Sequence, residues 1–479
     1  MTHDMDTSLA ERVAAYAVGL RFERLSAAAV HEVKRRVLDS IGCAFGAFDA
    51  EPCVVARKVA SQLSAGPGVG ATLWGTAHRA PLDWAAFANG ALVRYLDYND
   101  TYLSKEPAHP SDNIPAAFAA AEAAGKSGRD VIAAIVAAYE VQCRFCDAAS
   151  LRSIGFDHVT YGCFSSATAA GMLFGLDATQ MRHALGIAGV ASAALRQTRV
   201  GELSHWKGCA FANAARHGVF AATLAKAGMT GPHPIFEGEK GFEKLVSQRP
   251  IIVEGPFARA VPADRETAES QREMILGTSI KRWPVEYHAQ SAVEASLAIR
   301  AEILSHDAGG SVAERIRSVL VESHDAAVDI IGSEPEKWRP TSRETADHSL
   351  PYIVGAALAD GVMTPASFDD ARFTDADLLE LVGRVGIRRH AELSGMYPQA
   401  VGNIVTVTLA DGRAISRRVD YPTGHAKNPM SDAAVRQKFH AMADSVMGES
   451  RARELVEVVW RLEEVADVRD VIEAMRVPV

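Results

Sequence analysis

What most constrains this chain is a succession of helical patterns that starts at Ser8 and continues to about Lys226. Apolar residues recur at spacings of three and four, the signature of helices with one buried face. "SAAAVHEVKRRVLDSIGCAFGAF" from Ser26 predicts a helix with Ser26 as its N-cap and Glu32 in an early turn. "PLDWAAFANGALVRYL" from Pro81 predicts another, with Pro near its start. "GRDVIAAIVAAYEVQCRFC" and "DATQMRHALGIAGVASAAL" follow, the second opened by Asp177. "LSHWKGCAFANAARHGVFAATLAKAG" runs from Leu203 to a C-cap at Gly228. The many Ala and Gly positions imply helices that approach each other closely. No fixed repeat is present, which excludes a solenoid.

The texture changes near Gly255. "GPFARAVPADRETAESQREM" is polar and lacks apolar alternation. Beyond it, "IRSVLVESH" from Ile316 reads as a strand, and "NIVTVTLADGRAISRRVDYP" from Asn403 reads as a hairpin turning at Asp411-Gly412. Helical patterns cover Gln290 to Leu304 and Thr345 to Asp360, and helical texture returns from Asp432 to the end. The fold class expected is mainly α: a large helical domain built from both termini, residues 1–275 and 423–479, with a smaller α+β domain, residues 276–422, inserted as a lid. Domain interfaces are common places for substrate sites.

Composition narrows the function. The 479 residues suffice for more than one core. A net charge of -9 argues against a general nucleic-acid surface. "MTHDMDTSLAERVAAYAVG" places acids before any Lys or Arg, the reverse of a signal peptide, and no apolar run is long enough to span a bilayer. The expectation is therefore a cytoplasmic protein with no membrane or nucleic-acid partner. Cys143 and Cys146 form a CxxC, but it sits in a helical pattern with no second CxxC, so the six cysteines read as small buried thiols. "AGPGVGATLWG" from Ala65 lacks GxGxxG spacing, and "AAGKSG" from Ala123 has Ala120 where a P-loop needs Gly; both read as turns. GxSxG, HExxH and the kinase motifs are absent from the sequence.

Four polar passages remain. "LDYNDTYLSKEPAHPSDN" from Leu96 holds Asp97, Thr101 and His109, the last in a loop stiffened by Pro107 and Pro110; its plain alternative is a solvated turn. "GFDHVTYGCF" puts His158 and Tyr161 just before a helix N-terminus near Cys163, where an anion would be favoured, or where both residues cover the helix. "LSHWKG" places Lys207 on a small, apolar helix, so the ammonium is either paired, bound to an anion or reaching solvent. "KRWPVEYHAQ" carries Lys281, Arg282 and His288, suited to a carboxylate or simply a basic linker edge.

Taken with "SHWKGCAFANAARHGVFAA" and "DHSLPYIVGAAL", these passages resemble the MmgE/PrpD family over nearly the whole chain, and most of all its 2-methylcitrate dehydratases. The "HPSDN" form of the first passage leans to that branch rather than to the cis-aconitate decarboxylases. The resemblance implies a homodimer that acts on a small tricarboxylate without metal or organic cofactor. It implies catalytic roles for Asp97, His109, His158 and Lys207, and substrate-binding roles for Thr101, Tyr161, Lys281, Arg282 and His288. Dehydration removes a weakly acidic C–H proton beside a carboxylate and expels hydroxide, so the site needs a base, an acid and cations that stabilise growing negative charge. The expected division has Asp97 orienting His109, with His158 as the partner acid. Decarboxylation of cis-aconitate, isomerisation of a related acid, and anion binding without catalysis are the alternatives.

Overall fold

The computed structural model describes residues 7–66, 70–201, 203–259, 272–306 and 311–478. Part of the glycine-rich passage, 67–69, and most of the polar passage after Gly255, 260–271, lie outside the described residues. The chain is mainly α-helical, as its periodicity predicts. Among the described residues, nine α-helices and two short strands run in order through the first half: α1 (Leu9–Gly19), α2 (Ala27–Gly46), α3 (Glu51–Ser61), β1 (Ala71–Thr72), β2 (Arg79–Ala80), α4 (Leu82–Arg94), α5 (Ile114–Ala124), α6 (Gly128–Ala148), α7 (Gly162–Phe174), α8 (Ala178–Ala191) and α9 (Trp206–Lys226).

The caps follow the side chains. Ser26 Oγ accepts from Ala29 N at 3.1 Å, satisfying an otherwise free amide at the start of α2. Ser127 and Asp130 form a capping box on α6, as Asp177 and Gln180 do on α8. The GKS sequence is the turn between α5 and α6, with Gly125 left-handed at φ 59°. Helix α9 ends at Lys226; Ala227 is its cap and Gly228, at φ 96°, takes the left-handed turn that follows. The six cysteines are free and buried.

Small residues let these helices touch. A Cβ on Gly218 of α9 would meet Ala167 N of α7 at 2.7 Å, and one on Gly90 of α4 would meet the Cβ of Ala212 of α9 at 2.9 Å. The start of α9, which carries Lys207, is thereby held against α4, whose C-terminal end leads into Asp97.

Apolar side chains separate into two clusters. The first gathers α1 to α9 with Ile275 and Ile280 and with residues from Met430 to Met475. The second gathers residues from Val285 to Ile415. It surrounds a four-stranded sheet of β3 (Ile316–Ser323), β4 (Val385–Arg389), β5 (Asn403–Leu409) and β6 (Ala414–Val419), in the order β4-β3-β5-β6. β3 and β4 are parallel; the other pairs are antiparallel. The hairpin turns at Gly412, φ 89°. The helix Gln290–His306 lies against β5, β6 and the helix Leu350–Asp360. The latter begins five residues later than its pattern suggests, because Ser349 accepts from Tyr352 N and caps it, while Arg343–Ala346 forms a separate turn. β4 was not anticipated: its arginines face solvent along a sheet edge, which hides the alternation.

The C-terminal helix Asp432–Met447 returns to pack on α2. From it, buried Lys438 pairs with Asp39 at 2.7 Å and donates to the carbonyls of Tyr98 at 2.7 Å and Lys281 at 2.9 Å. One ammonium thus ties together two loops that are almost two hundred residues apart in sequence.

Candidate active site

Asp97 follows directly on α4 with its backbone left-handed at φ 50°, a conformation Asp tolerates better than most residues. Its carboxylate is buried and meets five cationic or imidazole groups. Arg94 bonds Oδ1 from one helical turn back. Lys281 Nζ donates to Oδ1 and to the Asp97 carbonyl, each at 2.7 Å. Lys207 Nζ lies 3.2 Å and His348 Nε2 3.1 Å from Oδ2, and His109 Nε2 is 4.0 Å from Oδ1. Burial alone would raise the pKa of this carboxyl, but Arg94, Lys207 and Lys281 outweigh it and hold it well below the usual range. Lys207 is only 1% exposed, so it does not reach solvent.

Lys281 reaches Asp97 because its segment is stitched to the polar loop: Thr101 N donates to Ser279 O and Ser279 N to Thr101 O, both at 2.8 Å. Burial lowers the Lys281 pKa against the pull of Asp97.

The two histidines are held differently. His109 Nδ1 is 2.7 Å from the carbonyl of Asp100. A carbonyl only accepts, so Nδ1 carries the proton and Nε2 keeps its lone pair. The carbonyl of Asp100, and not the carboxylate of Asp97, therefore orients this ring. His158 Nδ1 is 2.9 Å from Asp157 Oδ1. Asp157 is in turn gripped by Arg199 at 2.8 Å. Burial opposes its ionisation, but Arg199 and His158 prevail and drive its pKa far down. Asp157 thus orients His158, whose Nε2 is buried without a hydrogen-bond partner. The rings stand edge to face, 5.8 Å between centroids. Burial, then nearby cations, keeps both neutral: His158 falls to about 4 and His109 well below its ordinary value.

These groups line a cavity of about 640 Å³. Asp97, Thr101, His109, His158, Lys207, Lys281 and His288 all border it. Tyr161 and Arg282 do not border it. The Tyr161 hydroxyl donates to the Ala149 carbonyl at 3.0 Å and its ring packs edge-on to Phe145, so it belongs to the core beneath α7. Arg282 points away over the Trp283 ring, 5.3 Å from its centroid. Alternation at the Trp-Pro turn sends adjacent residues to opposite sides, and Lys281 takes the inner one.

Sequence reasoning missed several groups. Arg94, Arg152, Arg196, Arg199, Glu286 and His348 also border the cavity. His348, in "DHSLPYIVGAAL", bonds Asp347 through Nδ1 at 2.5 Å and Asp97 through Nε2. A His beside an Asp at a helix start was a usable signal. The arginines carried none, because surface arginines look the same in sequence. Among the described residues, no group of three or more His, Cys, Asp or Glu is arranged to hold a metal ion, and no helix is long and apolar enough to cross a membrane.

The chain is similar to several characterised proteins. It is 29% identical to 2-methylcitrate dehydratase of Cupriavidus necator over 430 residues, 85% of this chain and 84% of that protein. It is 27% identical to 2-methylcitrate dehydratase of Salmonella typhimurium, with 85% and 84% covered. It is 26% identical to cis-aconitate decarboxylase of Mus musculus, with 96% and 92% covered. The MmgE/PrpD N-terminal domain matches residues 11–253 and the MmgE/PrpD C-terminal domain residues 283–464. With both halves matched, and with the polar loop, the buried lysine and the basic turn converging on one cavity, the chain belongs to the MmgE/PrpD family.

Proposed function

We propose that this protein is a hydro-lyase that dehydrates 2-methylcitrate to 2-methylaconitate without a metal or organic cofactor. The observation that carries the reading is the pair of imidazoles, each with Nδ1 committed and Nε2 free, in a cavity walled by cations and found in a chain of this family. One Nε2 takes the C–H proton beside a carboxylate. The C–O bond breaks, its electrons leave with the hydroxyl, and the C–H electron pair becomes the new double bond. Asp157 stabilises the imidazolium that forms on His158, which makes His158 the better-supported base. The ammonium of Lys207, held between Asp97 and Asp347, is the donor that lets the hydroxyl leave as water. Arg94, Lys207 and Lys281 offset charge growing on the enediolate-like carboxylate.

The second apolar cluster is read as a lid, residues 276–422, over the helical body. Support comes from His288 and His348, which reach the cavity from that side. The homodimer reading is supported by the exposed large apolar side chains Val54, Val55, Trp206 and Phe220. The six free thiols fit a reducing compartment, hence the cytoplasm.

The test is turnover of 2-methylcitrate, citrate and cis-aconitate with and without chelator, following the absorbance of the conjugated double bond and identifying products by mass. Chelator-resistant 2-methylaconitate is the expected product. Decarboxylation of cis-aconitate is the second reading, favoured by the greater share of the chain that the mouse decarboxylase covers. Carbon dioxide from cis-aconitate with no reaction of 2-methylcitrate would establish it instead.

A further inference from the structure

The cations closest to Asp97 are largely neutralised by it, so they leave little free charge for a polyanion. Two other arginines do. Among the described residues, neither Arg152 nor Arg196 has a carboxylate within 4.0 Å of its guanidinium, yet both border the cavity. Their backbones are fixed. Buried Glu106 accepts from Ser150 Oγ at 2.9 Å, Leu151 N at 2.8 Å and Arg152 N at 3.0 Å, which pins the turn that carries Arg152. Arg196 N donates to Gly155 O at 3.0 Å and Asp157 N to Ala194 O at 2.9 Å, which sews the second segment to the first. Both guanidinium groups border the same cavity as the Arg199 that holds Asp157.

The part of the cavity lining next to Arg152 is also prepared. His288 is 1% exposed and its Nδ1 has no hydrogen-bond partner. Burial pushes the His288 pKa down to about 3 and the Tyr397 pKa up; after burial the Arg152 guanidinium is the first influence on each, adding to the shift of His288 and opposing that of Tyr397. The Tyr397 hydroxyl itself makes no hydrogen bond of normal geometry, although Arg152 stands near enough to favour its phenolate. A buried donor without a partner, facing an arginine without a carboxylate, is a costly arrangement unless an anion completes it.

We propose that Arg152 and Arg196, on the cavity that His288 and Tyr397 also line, bind a substrate carboxylate remote from the reacting carbon and so select tricarboxylates over dicarboxylates. Planar guanidinium groups suit this task because each can present two parallel N–H donors to one carboxylate. The proposal rests on the polycarboxylate reading of the cavity and assigns the charge selection to groups that the family resemblance did not name.

The experiment measures binding of propane-1,2,3-tricarboxylate and of methylsuccinate, which has the same chain without one terminal carboxylate, by calorimetry. The wild-type protein should prefer the tricarboxylate. Arg152→Ala and Arg196→Ala should each weaken the tricarboxylate by about 10- to 100-fold and leave methylsuccinate nearly unchanged. KM for 2-methylcitrate should rise by a similar factor with kcat retained. Arg152→Lys and Arg196→Lys keep the charge and lose the fork, so they should be intermediate; they also carry the test if an alanine variant does not fold. A tricarboxylate preference that survives both substitutions, or is absent from the wild type, overturns the proposal. If the wild type dehydrates 2-methylcitrate while the variants keep its KM, the selection fails and the activity stands. If arginine-dependent binding is seen without dehydration, the activity fails and the selection stands.

Discussion

Asp157 shows how much one neighbour can change a residue's role. In the sequence it is only the residue before His158 in "GFDHVTYGCF". In the fold it is the carboxylate behind His158. Replacement Asp157→Asn keeps the shape and removes the charge that stabilises an imidazolium. We expect kcat to fall by about 10²- to 10⁴-fold, with little change in KM and an unchanged circular dichroism spectrum. Wild-type turnover would remove His158 from proton transfer. The pH profile follows from the same geometry. A base must be unprotonated, and burial sets the His158 pKa down to about 4. As pH falls, kcat/KM should therefore hold through the ordinary histidine range near 6.5 and decline only toward about 4. A decline centred near the ordinary value would assign the limb to another group. Lys207 was legible as an ammonium on a helix of small residues that must be paired, bound to an anion or reaching solvent, and the structure buries it. Its partner was not, because Asp97 lies more than a hundred residues away.

At the scale of elements, the site depends on close helix contacts. Lys207 is placed by α9, and α9 is placed by glycines that let it touch α7 and α4. At Gly218 the crowding atoms are backbone, Ala167 N at 2.7 Å and Cys163 O at 2.8 Å, so a side chain there cannot be absorbed by a rotamer change. Gly218→Ala should destabilise the protein by about 1–3 kcal/mol, read as a lower denaturant midpoint. An unchanged midpoint would mean that the α7–α9 contact tolerates separation. The helices themselves were legible, because caps such as Ser26, Ser127 and Asp177 and the 3.6-residue period are local signals. β4 was not, because an edge strand with outward arginines carries no alternation to read. Tyr161 falls outside the cavity lining for a related reason: lying three residues from His158 in sequence says nothing about which side of a tight turn a ring takes.

At the scale of the whole molecule, the cavity is walled by both apolar clusters. His348 and His288 come from the second, and Asp97, His109, His158 and Lys207 from the first. A ligand seated there binds to both. Hydrogen exchange with saturating propane-1,2,3-tricarboxylate should therefore slow in α9 and in the helix Leu350–Asp360 together, by up to about 100-fold at a ligand concentration of 100 Kd. Protection confined to one cluster would mean that the other does not close on the ligand. By itself the sequence determined the helical class, the hairpin at Asp411-Gly412, the interruption of one texture by another, and the residue types gathered in the polar loops. Each of these is written in spacing over a few residues, or in motifs shared with a family. Only the tertiary structure decided which carbonyl or carboxylate orients each histidine, that Asp97 collects Arg94, Lys207, Lys281 and His348, and that Arg152 and Arg196 face the cavity while Arg282 does not. Those choices depend on through-space charge and on which side of a turn faces inward, and neither leaves a mark in local sequence.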